Sequence, residues 1–261
     1  MGFVLASELN LFEEVIPESL REIHLGAPGW AVVHPPVILA TLFVFGLLAL
    51  GAVLARRRLA DSEEALLPDG AFSIRNSFEV IIEALLFLMH DIIGPAGRKF
   101  LPLIGTMALF ILLGNLIGLI PGLKPPTMNV NTAGAWAVIV FFSYHAVGIG
   151  QHGFGYVKQF LGPFFGPFKI GGLTIPKLPM LCWIMLPIEL ISHFARMLSL
   201  TIRLIGNMFA DHAVIAIFLA MVPIGIPVIF MALGMVVSLL QAFIFALLTM
   251  VYIGLALEEE H

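Results

Sequence analysis

Residues 198–212 read LSLTIRLIGNMFADH and carry Arg203, Asn207, Asp211 and His212 between long apolar runs. Whether this stretch is embedded in a membrane decides the fold. An arginine near mid-membrane costs a few kcal/mol on insertion scales, and its guanidinium does not shed a proton to escape. The surrounding composition answers the question. Of 261 residues, 60% are hydrophobic and only 11% are charged, with a mean hydropathy of +1.04. Soluble domains carry about 25% charged residues, and a soluble chain of this length has no way to hide so much apolar surface. The apolar runs are long enough for helices rather than barrel strands. Arg203 therefore sits inside an integral membrane protein.

Working outward, residues 1–36 form an acidic head with Glu8, Glu13, Glu14, Glu18 and Glu22 against Arg21 alone. That is not the basic-then-apolar order of a signal peptide, so the mature protein is expected to start near Met1. Pro35 and Pro36 suit the opening of a helix. The uncharged run 37–54 covers about 27 Å as a helix, close to the bilayer core, and Arg56, Arg57 and Arg58 are expected to stop it. A segment near 78–93 mixes apolar residues with Glu79, Glu83, His90 and Asp91 and reads as an amphipathic helix. Spans follow near 101–120 and 133–150, separated by the hard turn PGLKPP at 121–126. Residues 151–180, rich in Gly and Pro, are predicted to be an inner loop, with Gly171 and Gly172 as punctuation. Residues 181–222 and 225–257 close the chain, broken at PIGIP.

Nine basic residues fall on one side of this arrangement: Arg56, Arg57, Arg58, Arg75, Arg98, Lys99, Lys158, Lys169 and Lys177. Only Arg21 and Lys124 fall on the other. The positive-inside rule then places the N-terminus outside and the C-terminal EEEH inside, which five crossings satisfy. As one helix, 181–222 reaches about 63 Å, twice the hydrocarbon core. It must break or tilt steeply, and packing against a partner is the reason to tilt. The predicted fold class is an all-α integral membrane protein. It has five membrane-crossing helices plus an amphipathic helix, and a long, steeply tilted C-terminal helical hairpin at 181–261 that carries the polar residues.

Within that hairpin Glu189, Arg196 and Arg203 recur every seven residues. Seven steps turn about 700°, so they form one line with a slow drift, and Ser192, Ser199 and Asn207 fall beside it. His212, nine residues past Arg203, turns about 900° and faces the opposite way. A snorkelling arginine, or one paired with Glu189 for structure, explains such a seam without function. A fixed charge beside a wet path or a partner's carboxylate explains it with function. Asp211 and His212 together suit proton passage near neutral pH. Gln241 and Asn115 suit amide contacts between helices. His24, His34, His90, His145, His152 and His193 show no metal-ligand spacing. Cys182 is the only cysteine, so neither an internal disulfide nor a cysteine-rich metal site exists.

LSLTIRLIGNMFA, the terminal LQAFIFALLTMVYIGLALEEEH and the earlier GNLIGLIPGLKPPTMNVNT together resemble subunit a of the F-type ATP synthase. That is the stationary proton-channel subunit beside the rotating c-ring. The resemblance covers about residues 75–261 and is most specific over the last 80 or so. It implies that Arg203 takes the place of the family's essential arginine, facing a carboxylate on each c subunit. It implies that Glu189, Asn207 and Gln241 match polar positions near the channel or the arginine, and that Arg196 and Ser199 match positions along its inner half. His212 matches a site held by Glu or His, often complemented from the position of Gly234, which has no titrating side chain here; Asp211, Glu189 or water is left to fill that role.

The resemblance further implies two offset aqueous half-channels separated by Arg203. A proton neutralises a ring carboxylate, because a bare one in lipid is costly, and the arginine keeps the passing acid ionised. The implied partners are the c-ring, the b-subunit peripheral stalk, the rest of the synthase and the lipid membrane. The implied setting is a bacterial plasma (inner) membrane.

Two other readings compete. One is an independent secondary transporter binding an anionic substrate at Arg203, Glu189 and His212. Such folds use internal repeats, and none stands out here. The other is a non-conducting membrane scaffold. No nucleotide loop, metal motif or nucleophile–base arrangement points to an enzyme, a cofactor or a metal. The net charge of −4 comes without a basic block or interleaved aromatics, so nucleic acid is not an expected partner.

Overall fold

A computed structural model describes residues 23–24, 32–33, 35–60, 74–120, 122–153, 156, 168–170, 173–175, 180–222 and 225–257. The acidic residues of the head, the polar loop after the first helix, most of 151–180 and the terminal EEEH lie outside them. Six α-helices make up the described body: α1 Pro35–Ala60, α2 Ile74–Ile92, α3 Leu101–Gly118, α4 Val130–His152, α5 Met180–Met221 and α6 Ile226–Leu257. Two short antiparallel ladders accompany them. Ile23–His24 (β1) pairs with Val32–Val33 (β2), and Phe168–Ile170 (β3) pairs with Leu173–Ile175 (β4).

Five helical segments are long and apolar enough to cross a membrane: Pro36–Leu54, Pro95–Gly118, Val130–His152, Leu186–Met221 and Ile226–Leu257. The amphipathic α2 is not among them. It turns Leu85 and Met89 inward and leaves Glu83, His90 and Asp91 exposed. Three expectations change in detail. Arg56–Arg58 end the apolar window but not the helix, whose backbone continues to Ala60; charge stops a span, whereas arginine is a good helix former. Residues 151–180 are not only loop, because β3 and β4 pair there. Their register sets Ile170 opposite Leu173, with the dipeptide Gly171-Gly172 between them in sequence, a composition suited to hairpin turns. The third concerns α5, which is continuous over 42 residues through Pro187, so the alternative of a broken helix is removed. Its apolar part, Leu186–Met221, is 36 residues long. At ~1.5 Å per residue it stays within a ~30 Å core only if inclined by about 56°.

The core lies where α3, α4, α5 and α6 meet. Phe110, Ile104, Met107 and Ile111 of α3 are buried with Phe245, Met250 and Ile253 of α6 and with Leu200 and Leu204 of α5. Phe45, Phe110 and Trp136 join α1, α3 and α4, with ring centroids 4.8 Å and 5.1 Å apart along the series. Small residues set the closest approaches, as expected where lipid gives helices no hydrophobic reason to associate. Gly114 and Gly118 stand one turn apart on α3. Pro126 and Thr127 lie on the first, and Pro125 on the second, where an added Cβ comes within 2.7 Å of the proline ring. The proline-rich turn is thereby laid back along α3, and Thr127 Oγ1 donates to Asn115 Oδ1 at 2.6 Å. Gly122 and Gly225 adopt positive φ, 96° and 95°, at the two tight connections where glycine bears no Cβ penalty.

Candidate functional site

The seam read from the sequence is real on α5. Leu200, Leu204, Met208 and His193 point into the bundle, while Ile191, Phe194, Leu198, Ile202 and Phe209 are exposed. Glu189, Arg196, Arg203 and Asn207 are all half-buried. They mark the border between the packed face and the exposed apolar face, and Ser199 lies just on the open side of it. Arg203 makes no hydrogen bond or ion pair among the described residues. One turn further on, Asn207 Nδ2 donates to Gln241 Oε1 at 2.7 Å. Gln241 is 1% exposed on α6, so this bond clasps the two helices of the hairpin beside the arginine.

Ten residues before Arg203, about 15 Å along the axis, lies a polar cluster. Glu189 does not pair with either arginine of the seam. Its Oε1 is 3.3 Å from His193 Nε2, one turn away. His193 is 8% exposed, and its Nδ1 is 2.8 Å from the hydroxyl of Tyr144, itself 3% exposed on α4. The His145 ring lies 5.0 Å from that of His193, and His145 Nδ1 donates to the Phe141 carbonyl at 2.8 Å. From α6, Tyr252 approaches Tyr144 at 6.0 Å between centroids. The Arg196 guanidinium carbon sits 5.4 Å above the Tyr252 ring, a cation–π geometry. Tyr156 packs on Gly148, where no Cβ fits beneath its ring, and burial pushes its phenol above the usual tyrosine range.

Nine residues after Arg203, about 14 Å the other way, the second cluster has a different construction. Asp211 and His212 are half-buried, and Asp211 Oδ2 and His212 Nε2 are buried atoms without a hydrogen-bond partner among the described residues. His212 borders a cavity of about 220 Å³ lined also by Gly118, Lys124, Met128, Phe209 and Leu219. Its Nε2 lies 2.9 Å from the position a Cβ on Gly118 takes. Asp211 faces the other way, toward α6, with Oδ2 3.9 Å from the position of a Cβ on Gly234. A carboxylate thus stands next to an α6 position that has no side chain to offer.

Matching by family model covers residues 37–254 with the family described as ATP synthase A chain. The chain belongs to that family. It is 39% identical over 252 residues to ATP synthase subunit a of Geotalea uraniireducens, covering 96% of this chain and 98% of that one. With ATP synthase subunit a of Trichlorobacter lovleyi the identity is 40% over 253 residues, with the same coverage. With that of Geobacter sulfurreducens it is 39% over 252 residues. A member of the ATP synthase A chain family with five membrane-length apolar helices is a multi-pass membrane subunit that serves proton transport and ATP synthesis.

Of the residues singled out in sequence, α5 carries Glu189, Arg196, Ser199, Arg203, Asn207, Asp211 and His212, and α6 brings Gln241 to Asn207. The structure does not bring His212 to Arg203. Sequence reading passed over His193, His145, Tyr144 and Tyr252, because metal-ligand spacing was the only test applied to the histidines. The spacing of His193 four residues after Glu189 on a helix was a usable signal.

Proposed function

We propose that this chain is the stationary, non-catalytic proton path of an ATP synthase. In this role Arg203 separates an inner route from an outer one and faces the carboxylates of a passing c-ring. The observation that carries the reading is the setting of Arg203. It stands mid-helix on α5, at the edge of an exposed apolar face and unpaired among the described residues, with a polar cluster on each side along the axis. A permanent cation held there lowers the pKa of an acid that passes and keeps it ionised. It also stops protons hopping from one cluster to the other. The Glu189 side forms the inner route, and the Asp211–His212 side the outer one. The cavity at His212 is roomy enough for water, with His212 and Lys124 as the polar side chains of a mostly apolar lining, and Asp211 supplies the acid that Gly234 does not.

In the membrane the N-terminus lies outside and the C-terminus in the cytoplasm, with the basic residues inside. The exposed side of the hairpin is the surface offered to the c-ring, and the b-subunit peripheral stalk holds the chain still. Each proton moved down ~100 mV yields about 2.3 kcal/mol from the electrical term.

Replacing Arg203 in the whole complex tests the reading. Arg203→Lys and Arg203→Ala are expected to abolish ATP-driven proton pumping in membrane vesicles while the complex still assembles. Lysine fails because a desolvated ammonium releases its proton. Normal pumping in either variant refutes the assignment. Reconstitution separates the two other readings: a transporter works alone, and a scaffold conducts nothing even with the c-ring.

A further inference from the structure

We infer that His193 is a proton-shuttling partner of Glu189 and that Tyr144 sets its tautomer, the three forming one transfer chain from the seam of α5 to the face of α4. This rests on reading that seam as a proton path. Glu189 is half-buried at the border facing outward, whereas His193 and Tyr144 lie inside the bundle. The 3.3 Å and 2.8 Å contacts use both ring nitrogens of one imidazole. A neutral imidazole has one donor and one acceptor nitrogen, so its two neighbours decide which is which.

In one state the Tyr144 O–H donates to Nδ1, and Nε2–H donates to the ionised Glu189 carboxylate. A proton delivered to the Tyr144 oxygen by hydronium displaces the phenol's own proton onto Nδ1, and the Nε2 proton passes to Glu189 Oε1. The phenol regains an O–H, the imidazole ends neutral with its proton on Nδ1, and the carboxylate is neutralised. One proton has entered and none is lost; the reverse sequence releases it. The ionisable groups around the ring come from three helices: Glu189 and Arg196 of α5, Tyr144 and His145 of α4, and Tyr252 of α6, with Tyr156 beyond His145.

The test is proton flux through the membrane sector of the full complex, in vesicles stripped of the catalytic sector, measured across pH at a fixed potential. His193→Gln keeps hydrogen bonds but carries no proton; Tyr144→Phe keeps the ring and loses the hydroxyl. Each is expected to cut flux by about tenfold, a modest share of what positioned proton transfer contributes, and His193→Gln to flatten its pH dependence. A third variant, 3-fluorotyrosine at position 144, acidifies the phenol with almost no change in packing and should shift the pH profile. A His193 that serves structure alone leaves that profile where it is. Native flux and profile in the fluorotyrosine complex overturn the inference, whatever the other two do to assembly. Arg203→Ala in vesicles that keep the catalytic sector, where ATP drives pumping, is the separating control. If it abolishes pumping while the His193 and Tyr144 variants conduct normally, only the shuttle is wrong. If it too pumps normally, the reading of the seam falls.

Discussion

The two clusters flanking Arg203 lie at similar distances along α5 and are built in opposite ways. On the Glu189 side the contacts of His193 run side chain to side chain, with its imidazole bonded through both nitrogens. On the His212 side the polar atoms are buried and unbonded: Asp211 Oδ2 and His212 Nε2 lack hydrogen-bond partners among the described residues, and a cavity of about 220 Å³ adjoins the histidine. Protons move through either kind of medium, along fixed hydrogen bonds or along water. Fixed bonds select geometry and are sensitive to single atoms. A wet cavity tolerates substitution but is sensitive to volume. In the proposed role Gly234 need not titrate, since an outer route that relies on water and Asp211 has no need of a second fixed donor on α6.

The largest expected effect is loss of all pumping in Arg203→Lys, because a barrier that deprotonates joins the two media; a vesicle assay that finds pumping intact breaks the comparison at its centre. Next comes Gly118→Val, which pushes side-chain atoms toward Pro125 and His212, 2.7 Å and 2.9 Å from the Cβ position. Overpacking of this kind costs about 1–3 kcal/mol and fills the outer cavity. Proton flux should fall severalfold with the Glu189–His193 contact untouched, and unchanged flux would argue that volume is not what the outer side needs. Gln241→Leu leaves Asn207 Nδ2 without its acceptor, at a cost of roughly 1–3 kcal/mol. It should weaken coupling between ATP hydrolysis and proton flow without abolishing either, and unaltered flux would assign Gln241 to packing alone. The smallest effect belongs to Thr127→Val. It removes one buried bond to Asn115, worth about 0.6–1.7 kcal/mol in membrane proteins; thermal stability should drop slightly while flux is retained.

The helices were legible because length, charge and hydropathy alone decide them. The 3.6-residue period also disclosed the seam, since Glu189, Arg196 and Arg203 needed only one helix to align. What stayed hidden depended on contacts between helices. Tyr144 and His193 are 49 positions apart, and no local pattern says which face of α4 meets which face of α5. The same holds for Asp211 against Gly234 and for Asn207 with Gln241. In an apolar surround, though, a buried hydroxyl or imidazole left without a partner is costly, and Tyr144 and His193 are both buried. The break expected at PIGIP agrees with the positive φ of Gly225. The ladder of β3 and β4 was missed because strands of three residues carry little periodic signal.

The bond from Asn207 to Gln241 has a mechanical meaning in the proposed role. A fixed charge that attracts each arriving acid is itself attracted, so every passing rotor subunit tugs on the helix that bears it. The amide clasp sits one turn from that charge and fastens it to α6, whose buried face runs on from Gln241 through Phe245, Thr249 and Ile253 into the core. The pull is therefore shared across the hairpin instead of bending α5, and the gate stays put while its cargo moves on.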